Sequence, residues 1–193
     1  MALPLDRKIH FTRAEYLALE EVSDVRNEFV NGQIYAMSGA GERHIDIVTS
    51  LSSLLYTHFR GGQYKVYQND MRVLVEQNFY YPDIVVVCGE RKFANVSGAA
   101  TLTNPTVLIE VLSPSTEAYD RGKKSQEYRS LPSLQAYVLV SQERATVECY
   151  TRQAEGSWVL TSADNVQSDI HIPPLNLSLS LADIYEQVTF DPY

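Results

Sequence analysis

Positive charge is in short supply in this chain. Lys and Arg number 16 against 24 Asp and Glu, for a formal net charge of −8 at pH 7. A broad nucleic-acid coat needs a basic surface, so the composition excludes one while leaving room for a local basic patch. Long apolar runs are missing too. No stretch approaches the ~18 residues that span a bilayer, and the amino-terminal MALPLDRKIHFT lacks the extended apolar region of a secretion signal. These absences predict a cytoplasmic protein with no membrane partner. Cysteine is nearly absent: Cys88 and Cys149 both lie in strand-like runs and form no Cys-x-x-Cys pattern, which predicts free, buried thiols in a reducing compartment. There is one tryptophan, Trp158, and no internal repeat or low-complexity tract.

What is present suits a packed core. Apolar residues make up 45% of the 193, and the length fits one domain over residues 1–193. FTRAEYLALEE (11–21) opens with Thr12 and has Glu15 three residues on, a capping box that predicts a helix start. NEFVNGQIYAM (27–37) places Asn31-Gly32 between apolar runs, the pattern of a β-hairpin. Val48, Leu51 and Leu55 fall at helical spacing within 41–59. Strands are expected at 63–68, 71–76, 81–88, 105–112, 136–141, 145–153 and 157–162, with Glu155-Gly156 as a turn. The small, polar stretch 89–104 reads as a loop. Helices are expected at 118–131, ending near Pro132, and from about Ser180. This order favours an α/β fold in which helices cover a mixed sheet.

Two carboxylates disturb this apolar pattern. Glu110 lies inside PTVLIEVLSPST, where Val107, Leu108, Ile109, Val111 and Leu112 describe a buried strand. A buried carboxylate is costly unless paired. Asp83 repeats the anomaly. It follows Pro82, a residue suited to a strand start, and precedes Ile84, Val85, Val86 and Val87. If the two strands are antiparallel neighbours, the start of one meets the end of the other and the carboxylates lie side by side. Adjacent carboxylates repel unless a proton or cation stands between them, and a few oxygen ligands with room for water suit Mg²⁺ or Mn²⁺. The plainer alternative is that each carboxylate pairs with an arginine or caps a loop.

Asp120, Lys124 and Tyr128 in YDRGKKSQEYRS stand at i, i+4 and i+8 on one helix face. They read as a surface ion pair stacked on a tyrosine, or as a lysine held against a metal site. There it would orient a water or offset developing negative charge. Lys123 points about 100° away on an ideal helix.

Pro82-Asp83, then Glu110-Val111-Leu112-Ser113-Pro114-Ser115, then YDRGKKSQEYRSL and YVLVS together resemble the Uma-two family of restriction-endonuclease-like proteins in the PD-(D/E)XK nuclease superfamily. The resemblance reaches upstream to NEFVNGQIYAMSGAGERH and spans roughly residues 10 to 185. It implies a restriction-endonuclease-like α/β core with a mixed central β-sheet flanked by α-helices. It further implies a metal-dependent endonuclease that hydrolyses phosphodiester bonds of nucleic acid, DNA first among the candidates. In that reading Asp83, Glu110 and the Val111 carbonyl hold Mg²⁺ or Mn²⁺. The superfamily's Glu-x-Lys is broken here, since Leu112 stands where the lysine would be, and the following helix supplies Lys124 instead. Glu28 and His44 match polar positions of the family. Taken alone, Glu28 on a hairpin strand would face solvent, and His44, one turn before Val48, would be a half-buried, hydrogen-bonded histidine. Gln68 and Asp70 are candidate supporting partners. Arg121, Lys123 and Arg129 are candidate contacts to the nucleic-acid backbone, and a homodimer would set two such sites against opposite strands.

Two rival readings stand beside this one. A nuclease-fold binding or regulatory protein without turnover would explain both the acidity and the broken Glu-x-Lys. A glycosidase using Asp83 and Glu110 would need no lysine, but would call for more aromatic platforms than this chain offers.

Overall fold

The computed structural model of the chain describes residues 10–37 and 39–190; the stretch 1–9, on which the expectation of no secretion signal mainly rests, lies outside the described residues. Helix α1 (Arg13–Val22) begins at the capping box: the Glu15 amide donates to Thr12 Oγ1 at 3.2 Å, and the Thr12 amide donates to Glu15 Oε2 at 2.8 Å. The hairpin β1 (Asn27–Val30) and β2 (Gln33–Ala36) turns through Asn31 at φ 51° and Gly32 at φ 79°, the left-handed values that Asn-Gly accepts. Helix α2 (Glu42–Phe59) buries Ile47, Val48, Leu51, Leu55 and Phe59 along one stripe. At ~1.5–3 kcal/mol for each large apolar side chain, that stripe anchors α2 firmly and fixes where its first turn points.

Strands β3 (Tyr64–Gln68), β4 (Arg72–Val75), β5 (Asn78–Tyr80), β6 (Ile84–Cys88), β7 (Thr101–Leu102) and β8 (Val107–Leu112) follow. Strand β5 escapes the sequence pattern because its turn from β4 contains no glycine; Glu76 itself takes φ 54°. Strand β7 escapes because two residues within a polar stretch carry no period, yet it pairs parallel with β4. The helix expected at 118–131 consists of α3 (Glu117–Tyr119), a π-helical turn over Asp120–Lys124, and α4 (Ser125–Ser130). Strands β9 (Ala136–Ser141), β10 (Val147–Arg152) and β11 (Trp158–Ala163) fall where strands are expected and pair antiparallel in sequence order. The hairpin β12 (Asp169–Ile172) and β13 (Leu177–Ser180) is joined by a 3₁₀ turn over Pro173–Leu175, which hides it from pattern reading. Helix α5 (Leu181–Ile184) starts at Ser180, whose hydroxyl accepts from the Ala182 amide at 3.1 Å.

The strands form a six-stranded sheet in the order β11-β10-β9-β8-β6-β3, a five-stranded sheet in the order β2-β1-β5-β4-β7, and the β12-β13 pair. The larger sheet is mixed: β8 and β9 are parallel, and its other neighbours antiparallel. Its central strands are buried on both faces, so alternate residues serve different cores. Ile84, Val86, Val107, Ile109 and Val111 pack with α2, the β12-β13 pair and α5. Val85, Val87, Leu108 and Leu112 pack instead with Val30, Val73, Val75 and Tyr128, toward the smaller sheet and α4. Glu110 falls on the face shared by Leu108 and Leu112, so period-two alternation alone sends it between the two sheets. Cys149 is buried and Cys88 half-buried, and both thiols are free. Among the described residues no helix is long and apolar enough to cross a membrane.

A third cluster joins α1 to the smaller sheet: the Tyr16 ring stacks on Phe29 and Phe79 at 5.1 Å each, and its hydroxyl donates to the Asn27 carbonyl at 2.8 Å. Burial pushes the Tyr16 hydroxyl up to about 12. Its unfolded value is about 10, so the folded state favours the neutral phenol. The associated stability is complete below pH 10 and is lost as pH rises toward 12, about 3 kcal/mol for this one group. Tyr16→Phe should therefore lose stability less steeply than wild type between pH 10 and 12, as read from urea midpoints; equal slopes would refute the assignment.

Candidate active site

Strand register brings the two anomalous carboxylates together. β6 and β8 pair antiparallel through Ile84 and Ile109, so one step further along Asp83 meets Glu110. The Val111 amide donates to Asp83 Oδ2 at 2.7 Å, and the Asp83 amide makes a long contact of 3.4 Å with Glu110 Oε2. Pro82 ends the β5–β6 connection without an amide to satisfy, and Asn69, at φ 55°, donates its amide to the Asp83 carbonyl at 3.0 Å. The backbone therefore places Asp83 from both sides.

Glu110 is paired with an ammonium. Lys124 Nζ lies 3.0 Å from Glu110 Oε1, 3.0 Å from Glu28 Oε1 and 3.6 Å from Asp120 Oδ1. The Tyr128 hydroxyl donates to Glu110 Oε1 at 2.9 Å. Glu28, Glu110, Asp120 and Lys124 are all buried, so the surface ion pair that the helix spacing also allowed is not what forms. The π turn over Asp120–Lys124 widens the helix where these side chains point inward.

Glu28 does not face solvent. It shares a face of β1 with Val30, and its Oε1 also accepts from the Tyr81 amide at 3.2 Å. Helix α1 fixes that arrangement through buried Glu20, which accepts from the Tyr81 hydroxyl at 2.9 Å and from the Asn27 amide at 3.1 Å. His44, in the first turn of α2, places Nε2 2.9 Å from Asp83 Oδ1. The buried stripe of α2, continued one turn back, aims that ring at the edge of the sheet.

Charge in this cluster is unbalanced. Asp83, Glu110, Glu28 and Asp120 face one ammonium and one imidazole. Burial pushes the Glu110 carboxyl well above the usual carboxylate range; Lys124 draws it back, while Asp83, Asp120 and Glu28 push it further up. Burial likewise raises Asp120, against the pull of Lys124. Burial opposes the charge on Lys124, but Glu110, Glu28 and Asp120 outweigh it and hold the ammonium well above its ordinary value. Among the described residues no three acidic, imidazole or thiol groups gather into a ready-made metal ligand set. The donor chemistry nonetheless fits Mg²⁺ or Mn²⁺, which commonly take one or two carboxylates and complete their shell with water and substrate oxygens. Asp83 and Glu110 are such a pair, and the surplus of negative charge favours a cation beside them.

These groups line a cleft of about 840 Å³, together with Gln68, Asp70 and Ser113. Asp70 pairs with Arg26 at 3.0 Å. The expected backbone contacts are not brought there. Arg121 is engaged by Glu117 at 2.7 Å and by Glu148, and Arg129 lies over the Tyr150 and Trp158 rings, 5.4 and 6.0 Å from their centroids. Intramolecular pairing outcompeted solvent exposure for both. Asp120 and the Tyr128 hydroxyl belong to the cluster more closely than their helix spacing could reveal, because the spacing gives a face and not what that face meets.

A mixed sheet with helices on its faces is the fold of a restriction-endonuclease-like protein. The sequence profile of the Uma2 family, described as "Putative restriction endonuclease", matches residues 13–182. The chain belongs to that family. It is 34% identical over 178 residues to the Synechocystis protein slr1290, covering 91% of this chain and 92% of that one. It is 35% identical over 161 residues to the Synechocystis protein sll1609, covering 82% and 90%. Its fold is shared with a crystal structure from Anabaena variabilis described as "a putative nuclease belonging to DUF820", with a TM-score of 0.75, 21% identity, and 91% of this chain and 98% of that chain covered.

Removing the ammonium leaves Glu28, Glu110 and Asp120 buried without a counter-charge. Lys124→Ala should lose about 3–5 kcal/mol at pH 7 in urea unfolding, far more than the ~0–1 kcal/mol of an exposed pair. The deficit should shrink as pH is lowered, because burial raises Glu110 and a protonated Glu110 needs no counter-charge. A loss below about 1 kcal/mol would show that the cluster is not a buried one.

Proposed function

We propose that this protein is a divalent-metal-dependent endonuclease that hydrolyses phosphodiester bonds of nucleic acid, with DNA as the substrate. The observation that carries the reading is the meeting of Asp83 and Glu110 from adjacent strands with Lys124 against Glu110 at 3.0 Å. Asp83, Glu110 and the Val111 carbonyl are the residues that would hold Mg²⁺ or Mn²⁺. When bound, the ion supplies a Lewis acid for the phosphoryl oxygen and lowers the pKa of a nearby water.

The chain's own groups supply the rest. His44 and the Val111 amide each bind one oxygen of Asp83, which fixes the plane of that carboxylate. Tyr128 does the same for Glu110 Oε1 and leaves Oε2 toward Asp83. Lys124 stays charged through the reaction and offsets negative charge accumulating on the phosphoryl group. Glu28 and Asp120 hold Lys124 in place rather than bind the ion. We further read residues 1–193 as one nuclease-like domain acting in the cytoplasm, with a homodimer as the arrangement that would cut both strands.

A second reading is favoured by one observation. Three carboxylates already satisfy Lys124, as a purely structural ion cluster would. On that reading the fold binds nucleic acid or a regulatory partner without turnover.

The two readings part in one assay. With millimolar Mn²⁺ or Mg²⁺, wild type should nick plasmid or cut single-stranded DNA, and Asp83→Asn and Glu110→Gln should lose at least about a hundredfold. Wild type that is inactive, or variants as active as wild type, would overturn the hydrolytic reading. Metal should also raise the melting temperature. At ten times its Kd, about 1.4 kcal/mol of stabilisation corresponds to a few degrees for a chain of this size, and Asp83→Asn should abolish the rise.

A further inference from the structure

The cleft is apolar at its mouth and poor in uncommitted cations, and that combination bears on the form of the nucleic acid. Of the large apolar side chains that are exposed among the described residues, Val25, Tyr35, Met37 and Ile45 all line this cleft. Tyr35 is 53% exposed and is the cross-strand partner of Glu28 in the β1–β2 hairpin. Directly opposed residues of an antiparallel pair project from the same face. The Tyr35 ring therefore stands beside the carboxylate that holds Lys124. Among the described residues it stacks on no other ring, and its hydroxyl bonds no protein group. Ile45 follows His44 at the start of α2 and is likewise 53% exposed.

The cations lining the cleft are already engaged. Lys124 is held by Glu28, Glu110 and Asp120, and Arg26 by Asp70. A duplex shows its phosphates outward and hides the faces of its bases, so a protein gripping it draws mainly on free lysines and arginines. A strand without a complement exposes base faces, which stack on aromatic side chains with little sequence preference. The cleft volume of about 840 Å³ lies within the ~300–1,000 Å³ of sites that enclose small molecules, the scale of a few nucleotides rather than a turn of duplex.

We propose that the cleft takes an unpaired nucleotide strand, such as a single-stranded end, flap or gap, with a base stacked on Tyr35 at the mouth and the adjoining phosphodiester at Asp83 and Glu110. This rests on the nuclease reading for its choice of ligand, but it concerns how the strand is held, so it is tested by binding rather than by turnover.

The test is fluorescence anisotropy of labelled oligonucleotides with cleavage-resistant phosphorothioate linkages, single-stranded or annealed to a complement, titrated with the full chain in Mg²⁺. The single strand should bind more tightly than the duplex. Tyr35→Ala should weaken single-strand binding by roughly five- to a hundredfold while leaving the melting temperature and duplex binding unchanged, and Tyr35→Trp should restore it. A duplex that binds as tightly as the single strand, an unchanged Tyr35→Ala, or no binding of either probe would overturn the proposal. The plasmid and single-strand assay run in parallel keeps the two ideas separate. Tyr35-dependent binding without cleavage overturns only the hydrolytic reading, and cleavage with binding indifferent to Tyr35 overturns only this one.

Discussion

The Lys124 ammonium, 3.0 Å from both Glu28 and Glu110 and 3.6 Å from Asp120, is the contact on which the layers around the cleft depend. Its partners come from a hairpin strand of the smaller sheet, a central strand of the larger sheet, and its own helix. Carboxylates buried between two sheets would otherwise drive them apart, because like charges at short range in a low dielectric repel strongly. With an ammonium among them the same groups hold the layers together. Burial makes the arrangement consequential: the identical set of charges on a surface would contribute almost nothing.

Everything around that contact orients it. Strands buried on both faces fix the depth of Glu110, and the α1–Glu20–Tyr81 contacts fix the strand that carries Glu28. The Tyr128 ring packs edge-on against Tyr80 and Tyr137 at 5.2 and 5.4 Å, which leaves its hydroxyl one direction, toward Glu110. The α2 stripe aims His44 at Asp83 from the opposite side. The cluster still carries more negative than positive charge. The cleft therefore has a charged edge beside an apolar mouth.

That Asp83 and Glu110 meet depended on β6 and β8 being antiparallel neighbours, but the two could be singled out from the sequence, because a charge in an apolar run is conspicuous. The same holds for the hairpin at Asn31-Gly32 and the helix start at Thr12, where local chemistry sets local geometry. Glu28 was only half legible: alternation along a four-residue strand assigns it a face without saying that another sheet covers that face. Arg121 and Arg129 looked available for a polyanion, since nothing nearby in sequence announced Glu148, Tyr150 or Trp158 as their partners. The strands β5, β7 and β12 left little trace: all are short, β5 and β12 are bounded by turns without glycine, and β7 is two residues inside a polar stretch.

The order of residues was enough to fix the periods, the caps, the two misplaced carboxylates and the helix face that bears Lys124, because each of these is settled within a few residues of chain. The folded molecule alone decided that Lys124 is buried rather than exposed, that it is shared among Glu28, Glu110 and Asp120, and that Tyr35 borders the same cleft. Those outcomes turn on which surfaces cover one another. Coverage is set by the packing of two sheets, and no local pattern encodes the distance between groups that many residues separate.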